Sequence, residues 1–171
     1  MEEKRTTLRQ IVLAGIFAAL VFVITFFVKI PVPQISRGAY INLGDTAIYI
    51  IASLINPLYA MFAAGFGSML ADVAYGGGIY IPATLIIKGL MGFVAAYIAK
   101  RGSFGAYAVS CIAAGAIMVV GYGIFETFLL GGIVPALASS VFNLIQFAGG
   151  VILALPFYTV LPRIRKAANL K

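Results

Sequence analysis

The 171-residue chain has no histidine, no tryptophan and one cysteine, and only 10% of its residues are charged. With no imidazole and a single thiol, the sequence excludes the common zinc sites, Ser-His and Cys-His pairs, and any disulfide. Cys111 lies inside an apolar run and reads as a small packing residue. No G-x-x-x-x-G-K-[ST] string occurs, so the chain itself is not expected to hydrolyse ATP. Acids are scarce as well: five, against twelve lysines and arginines. No metal or cofactor is implied.

What the chain does have is apolar length. Hydrophobic residues make up 63% of it, where a soluble domain carries about 45–50% apolar and about 25% charged residues. A membrane crossing takes about 20 residues. The apolar runs predict an all-α, single-domain bundle of six transmembrane helices over 7–28, 42–55, 58–75, 81–99, 104–130 and 136–160. No room is left for a separate domain outside the bilayer. Asn56-Pro57, Gly76-Gly77-Gly78 and Gly131-Gly132 followed by Pro135 punctuate the runs. The glycine run at 76–78 is a turn and not a phosphate cradle, because no strand precedes it. The first run follows Lys4, Arg5 and Arg9 as a signal peptide would. It is too long for one, however, and no small-residue cleavage site follows.

Six crossings place both termini on one side, together with Lys4, Arg5, Arg9, Lys100, Arg101, Arg163, Arg165, Lys166 and Lys171. Lys29 and Arg37 fall on the other side, and Lys88 lies within a helix. By the positive-inside rule both termini are cytoplasmic, in the cell membrane. The net charge of +7 therefore reflects orientation and contact with anionic lipid, not nucleic-acid binding.

That orientation gives each buried polar residue a depth. Asn42 and Asp45 open the second helix, Asp72 and Tyr75 close the third, and Thr84 and Lys88 lie early in the fourth. Glu126 is late in the fifth, while Asn143 and Gln146, with Ser139 one turn above, lie early in the sixth. All belong to the outer half. Segments 14–17, 61–66, 93–97, 107–114 and 151–155 of the inner half offer only small, aromatic or aliphatic side chains. A charge in hydrocarbon costs at least about 2.5–3.5 kcal/mol, so such groups face the protein interior and mark function. The pattern predicts an outward-opening cup that stops near mid-membrane, with Asn42, Asp45, Asp72, Tyr75, Thr84, Lys88, Glu126, Asn143 and Gln146 as substrate-binding candidates.

Each candidate also has a plainer reading. Asp72 and Lys88 flank the outer turn and are expected to meet as an ion pair, either fastening two helices or touching ligand. Asp45 either faces the cup with Asn42 or caps its helix at the headgroups. Glu126 has no basic residue in its own helix and suits an amine or protonated ring nitrogen. Asn143 and Gln146 pair donor and acceptor edges as heterocycles require, or else join helices. Tyr40, Tyr75, Tyr80 and Tyr122 lie near the mouth, where an interfacial belt is also expected. Ala14 with Ala18, and Gly15 with Ala19, are two small-x-x-x-small pairs that allow close helix approach.

Four segments carry a resemblance: Ala14-Gly15-Ile16-Phe17-Ala18, YINLGDTAIYIIASLINPLYA at 40–60, GSMLADVAYGGGIYIPATLIIKGLMG at 67–92, and NLIQFAGGVILALP at 143–156. In that order, and in a six-helix chain of this size, the sequence resembles the substrate-binding S component of an energy-coupling factor (ECF) vitamin transporter. The resemblance implies capture of a vitamin or precursor from outside. It also implies partnership with a transmembrane coupling protein and two cytoplasmic ATPases, and toppling in the bilayer to deliver the solute. It makes the loop 29–41 a cap over the cup, and Ala14, Gly15, Ala18 and Ala19 a docking face for the coupling protein. Embedded acids outnumber the embedded ammonium, which favours a ligand with amino or protonatable nitrogen: hydroxymethylpyrimidine or a B6 vitamer, with riboflavin as a further candidate. Two competitors are a self-sufficient proton-coupled transporter using Glu126, and an intramembrane enzyme using Asp45 with Asp72 or Ser68 with Lys88.

Overall fold

The computed structural model describes residues 2–31, 40–168 and 170, with side chains described from residue 7 onward. Pro33, Arg37 and Gly38 of the expected cap, and the side chains of Lys4 and Arg5, lie outside the described residues. Among the described residues there are seven α-helices and a two-stranded hairpin: α1 (Glu2–Phe27), β1 (Lys29–Pro31), β2 (Tyr40–Asn42), α2 (Gly44–Ala52), α3 (Pro57–Tyr75), α4 (Ile81–Ala99), α5 (Phe104–Leu129), α6 (Ile133–Ala154) and α7 (Leu161–Ala167). A 3-10 turn, Leu155–Thr159, joins the last two helices. Five of the helices are long and apolar enough to cross a membrane.

Local chemistry sets the helix ends. Asn56 is extended ahead of Pro57, which opens α3 where its missing N–H costs nothing. Gly76 closes α3 in the left-handed conformation, φ 79°. Ser103 caps α5, its hydroxyl accepting from the Ala106 N–H at 3.1 Å. At the end of α6, Pro156 lacks the N–H that would continue the α ladder, and the chain tightens into the 3-10 turn.

Three expectations about the helices are corrected. The expected sixth helix, 136–160, ends as an α-helix at Ala154, and a short α7 follows that the apolar pattern did not reveal. The expected second helix, 42–55, has only nine residues, about 14 Å of rise against roughly 30 Å of hydrocarbon. Alone it is too short to span, so the expected six spanning helices become five around one short internal helix; with the hairpin before it, α2 still takes the chain from one end of the bundle to the other. The cause is the loop 29–41, whose β1 and β2 pair antiparallel with Lys29 opposite Asn42 and Ile30 opposite Ile41. The hairpin carries the chain down into the bundle before α2 starts, and Asn42 is already buried.

Neighbouring helices pack as α1–α3, α3–α4, α4–α5 and α5–α6, while α2 touches α1, α3, α4, α5 and α6. Seven of its nine residues are buried, among them Ala47, Ile48, Tyr49, Ile51 and Ala52. The packing surfaces are small. A Cβ on Gly92 would come within 2.4 Å of the Ala60 carbonyl, and one on Gly67 within 2.5 Å of the Ala18 carbonyl. Large apolar side chains such as Leu8, Ile16, Ile86, Ile124, Leu144 and Ile152 point outward. Such an inverted distribution suits lipid, where close packing replaces the hydrophobic drive between helices.

Both ends of the chain reach the turn between α2 and α3. The Asn56 N–H donates to Gln10 Oε1 on α1 at 3.1 Å, and Arg165 on α7 donates to the Ser53 carbonyl at 2.7 Å. The hairpin lies at the opposite end of the bundle.

Candidate functional site

At the hairpin end the helices diverge around a cavity of about 60 Å³, several times what one water requires. Its wall takes side chains from every spanning helix: Thr25 from α1, Ser68 and Asp72 from α3, Thr84 and Lys88 from α4, Tyr122 and Glu126 from α5, and Ser139, Asn143 and Gln146 from α6. Tyr40 and Asn42 enter from the hairpin, and Tyr80 from the turn before α4.

The floor is a closed polar network. Lys88 Nζ donates to Asp45 Oδ1, with both side chains almost wholly buried. Gln146 Nε2 donates to Asp45 Oδ2 at 2.7 Å. Gln146 Oε1 accepts from the Asn42 backbone N–H at 2.8 Å, and Asn42 Oδ1 accepts from the Gly44 N–H at 2.8 Å. The Asp45 carboxylate meets the ammonium on one oxygen and an amide on the other, two of the contacts a buried ion pair requires. Tyr122 adds its ring 5.5 Å from Lys88 Nζ, and its hydroxyl lies 2.8 Å from Thr84 Oγ1.

This arrangement overturns the expected Asp72–Lys88 ion pair: the lysine is taken by Asp45. The reason is the depth of α2. Because the hairpin lowers the start of that helix into the bundle, Asp45 is fully buried beneath Lys88. It neither caps a helix at the surface nor lines the cavity itself.

Asp72 is engaged from above instead. Tyr40 on β2 donates its phenol to Asp72 Oδ1. Burial first, and then the Asp72 charge, push the Tyr40 phenol up from its ordinary pKa, so it stays protonated and able to donate. The Tyr40 ring meets Tyr75 edge-on at 5.0 Å. Lys29 Nζ rests 3.7 Å from the Tyr75 ring centre and 4.0 Å from that of Phe26. Tyr75 therefore packs behind the hairpin, and it is absent from the cavity wall among the described residues. It packs against the hairpin through Tyr40 and Lys29. Glu126 accepts from Tyr80 at 3.4 Å and from Asn143 at 3.3 Å.

Of the nine substrate-binding candidates, seven share this wall; Asp45 lies below it and Tyr75 behind the hairpin. Thr25 and Phe142 line the cavity without having been singled out. For Thr25 a signal existed: it is the one hydroxyl among the aliphatic and aromatic residues of 16–28. Phe142 gave none, being one apolar residue among many.

The four small residues of α1 split by face. Ala14 and Ala18 are buried, Ala18 against Gly67 of α3, so these two close the chain's own bundle and are corrected as an outward docking pair. Gly15 and Ala19 are exposed, with nothing within 4 Å of a Cβ built on Gly15. The spacing held two adjacent stripes, and only the packing of α3 decides which one turns inward.

Comparison with known proteins gives three likenesses and a family match. The family described as ECF-type riboflavin transporter, S component, matches residues 5–163. An uncharacterized protein in gap 3'region of Pyrococcus woesei is 36% identical over 134 residues, covering 78% of this chain and 88% of that protein. The thiamine precursor transporter HmpT of Lactococcus lactis subsp. cremoris (strain MG1363) is 29% identical over 151 residues, 86% of this chain and 84% of the relative. Among solved structures, the S-component for biotin from an ECF-type ABC transporter superposes with a TM-score of 0.65 at 20% identity. That superposition covers 95% of this chain and 93% of the other, and it shows a shared fold.

Proposed function

This chain belongs to the ECF-type riboflavin transporter S component family, and we propose that it captures a small vitamin precursor from outside the cell and hands it to an ATP-driven partner module. The family is one of transporters, not of enzymes. The observation that carries the reading is the cavity itself, walled by polar side chains from all five spans and floored by a satisfied ion pair over the apolar core of α2. A site closed below can bind, but needs a change of arrangement, and so a partner, to release on the far side. In this reading the hairpin end faces outward, the termini are cytoplasmic, and the +7 charge follows the positive-inside rule.

Hydroxymethylpyrimidine is the preferred substrate, ahead of a B6 vitamer or riboflavin. With Asp45 committed to Lys88, two acids, Asp72 and Glu126, remain on the wall for a ligand bearing amino or ring nitrogen. A relative named for a thiamine precursor supports the same choice. The exposed Gly15–Ala19 stripe is the part of α1 left to meet a coupling protein.

Mass spectrometry of the small molecule retained by the purified chain tests the substrate, and liposome uptake tests the mechanism. The expected results are a retained aminopyrimidine, and accumulation only when the coupling protein and its ATPases are present with ATP. Sustained uptake by the chain alone, driven by a pH gradient, would establish the Glu126 proton-coupled alternative instead.

A further inference from the structure

Three polar atoms on one side of the cavity have no hydrogen-bond partner among the described residues: Thr25 Oγ1 on α1, and Ser68 Oγ and Asp72 Oδ2 on α3. Their residues are 2%, 1% and 4% exposed, and all three line the cavity. In folded proteins the large majority of buried side-chain polar atoms are paired. At and beneath the same cavity both oxygens of Asp45, both ends of Gln146 and both oxygens of Glu126 have partners. Three of the four unpartnered atoms on the cavity thus come from the neighbouring helices α1 and α3. Ser68 and Asp72 are four residues apart and share a face of α3, and Thr25 Oγ1 lies beside the start of α2, where a Cβ on Gly44 would come within 2.1 Å of it. A fourth unpartnered hydroxyl on the cavity, Ser139 Oγ, belongs to α6 and stands apart.

The chemistry of the three atoms defines what would satisfy them. Asp72 accepts from Tyr40 on one oxygen, and as a carboxylate it accepts on the other, where a ligand N–H or O–H would satisfy it. The hydroxyls of Thr25 and Ser68 can each donate to a ring nitrogen or carbonyl. We infer that Thr25, Ser68 and Asp72 form the edge-reading subsite of the cavity, and that it takes a nitrogen heteroaromatic whose amino group lies beside a ring-nitrogen acceptor. This rests on the reading of the cavity as the ligand site and adds the direction in which the ring is read. Asp45 and Gln146, whose acceptor oxygens are already partnered, form the floor beneath the subsite.

Calorimetric titration of the purified full chain with two probes tests the subsite. One probe is 4-amino-5-hydroxymethyl-2-methylpyrimidine. The other is its 4-oxo analogue, in which donor and acceptor exchange places. The expected result is at least about a tenfold preference for the amino probe, the scale of 1.4 kcal/mol. T25V and S68A each weaken amino-probe binding about tenfold, while G15A, on the open outer face of α1, changes it less than threefold. D72N, whose amide offers both an oxygen and an N–H, narrows or reverses the preference. That last readout is a ratio taken on one variant, so partial loss of folded protein does not distort it. Wild-type binding by T25V and S68A, or an unchanged preference in D72N, would overturn the subsite while leaving the capture function in place. If the unmodified chain binds a flavin or a B6 vitamer but neither pyrimidine, the amino-heterocycle class falls. If it binds none of these, the capture reading falls with it.

Discussion

The two ends of this bundle bury opposite kinds of matter. Toward the hairpin the interior holds Asp72, Lys88, Glu126, Gln146 and four hydroxyl residues, Thr25, Ser68, Thr84 and Ser139. Toward the termini it holds Ala60, Ala63, Ala64, Ala95, Ala96, Ala99, Cys111, Ala114 and Ala154, each almost fully buried. One end keeps helices apart around a polar-walled cavity. The other brings backbones together until no Cβ fits at Gly92. Tight packing and the polar cavity are thereby separated along the bundle, with α2 marking the boundary: Asp45 at its start belongs to the polar end, and Ile48, Tyr49, Ile51 and Ala52 belong to the packed end.

The largest way to break this separation is to strand one charge at the boundary. Lys88→Met leaves the Asp45 carboxylate buried with Gln146 as its remaining partner, and breaking a buried pair from one side costs about 3–5 kcal/mol. Such a loss is a large fraction of a domain's total stability. Thermal unfolding in detergent should show a steep drop in midpoint for K88M. Most of it should return in the double variant K88M/D45N, whose side chains carry no net charge. A double variant as unstable as the single one would mean that the pair serves as more than charge compensation.

The polar end was legible in the sequence because charge in a hydrophobic run is rare and costly, so Asp72, Lys88, Glu126 and Gln146 announced themselves. Depth was not legible to the same degree. Helix length was inferred from apolar runs, and the apolarity of 42–55 has two causes that look alike: a span facing lipid and a short helix enclosed by protein. Only the β1–β2 pairing, three residues on each strand, lowers α2 into the bundle, and this moved Asp45 from the rim to the floor and gave it Lys88. Partner choice among four embedded charges depends on that offset. Inward and outward stripes on α1 were indistinct for a related reason. Ala14, Gly15, Ala18 and Ala19 are all small, and which pair turns inward is set by Gly67 on another helix.

A smaller effect is expected from crowding the packed end. Gly92→Ala places a methyl 2.4 Å from the Ala60 carbonyl and 2.8 Å from the Ala64 Cβ, forcing α3 and α4 apart at a cost of about 1–3 kcal/mol. The midpoint should fall while the folded fraction binds ligand with unchanged affinity, because the cavity lies at the other end. Gly15→Ala is the control on an open face: nothing lies within 4 Å of the added carbon. Alanine is also favoured over glycine in a helix by up to about 1 kcal/mol, so stability should hold or rise. If G92A weakened ligand binding as strongly as stability, the two ends would be coupled, and the division of labour would fail.

The smallest effect, and the one that sharpens the comparison most, concerns the tie at the far end of α2. Arg165 donates to the Ser53 carbonyl at 2.7 Å, and Ser53 is the residue that ends α2. A cation at a helix C-terminus stabilises the unpaired carbonyls there by about 0.3–1 kcal/mol. Arg165→Gln should therefore lower the midpoint by only a few degrees. Since α2 begins with Asp45 on the floor of the site, a rigid α2 would transmit this loss to the polar end, whereas a merely local tie would not. Hydrogen exchange of the α2 amides in R165Q separates the two. Faster exchange confined to Ile51 and Ala52 keeps the ends independent. Faster exchange reaching Asp45 and Thr46 would make α2 a rod joining the terminal basic segment to the binding floor, and the two halves would then have to be treated as one mechanical unit.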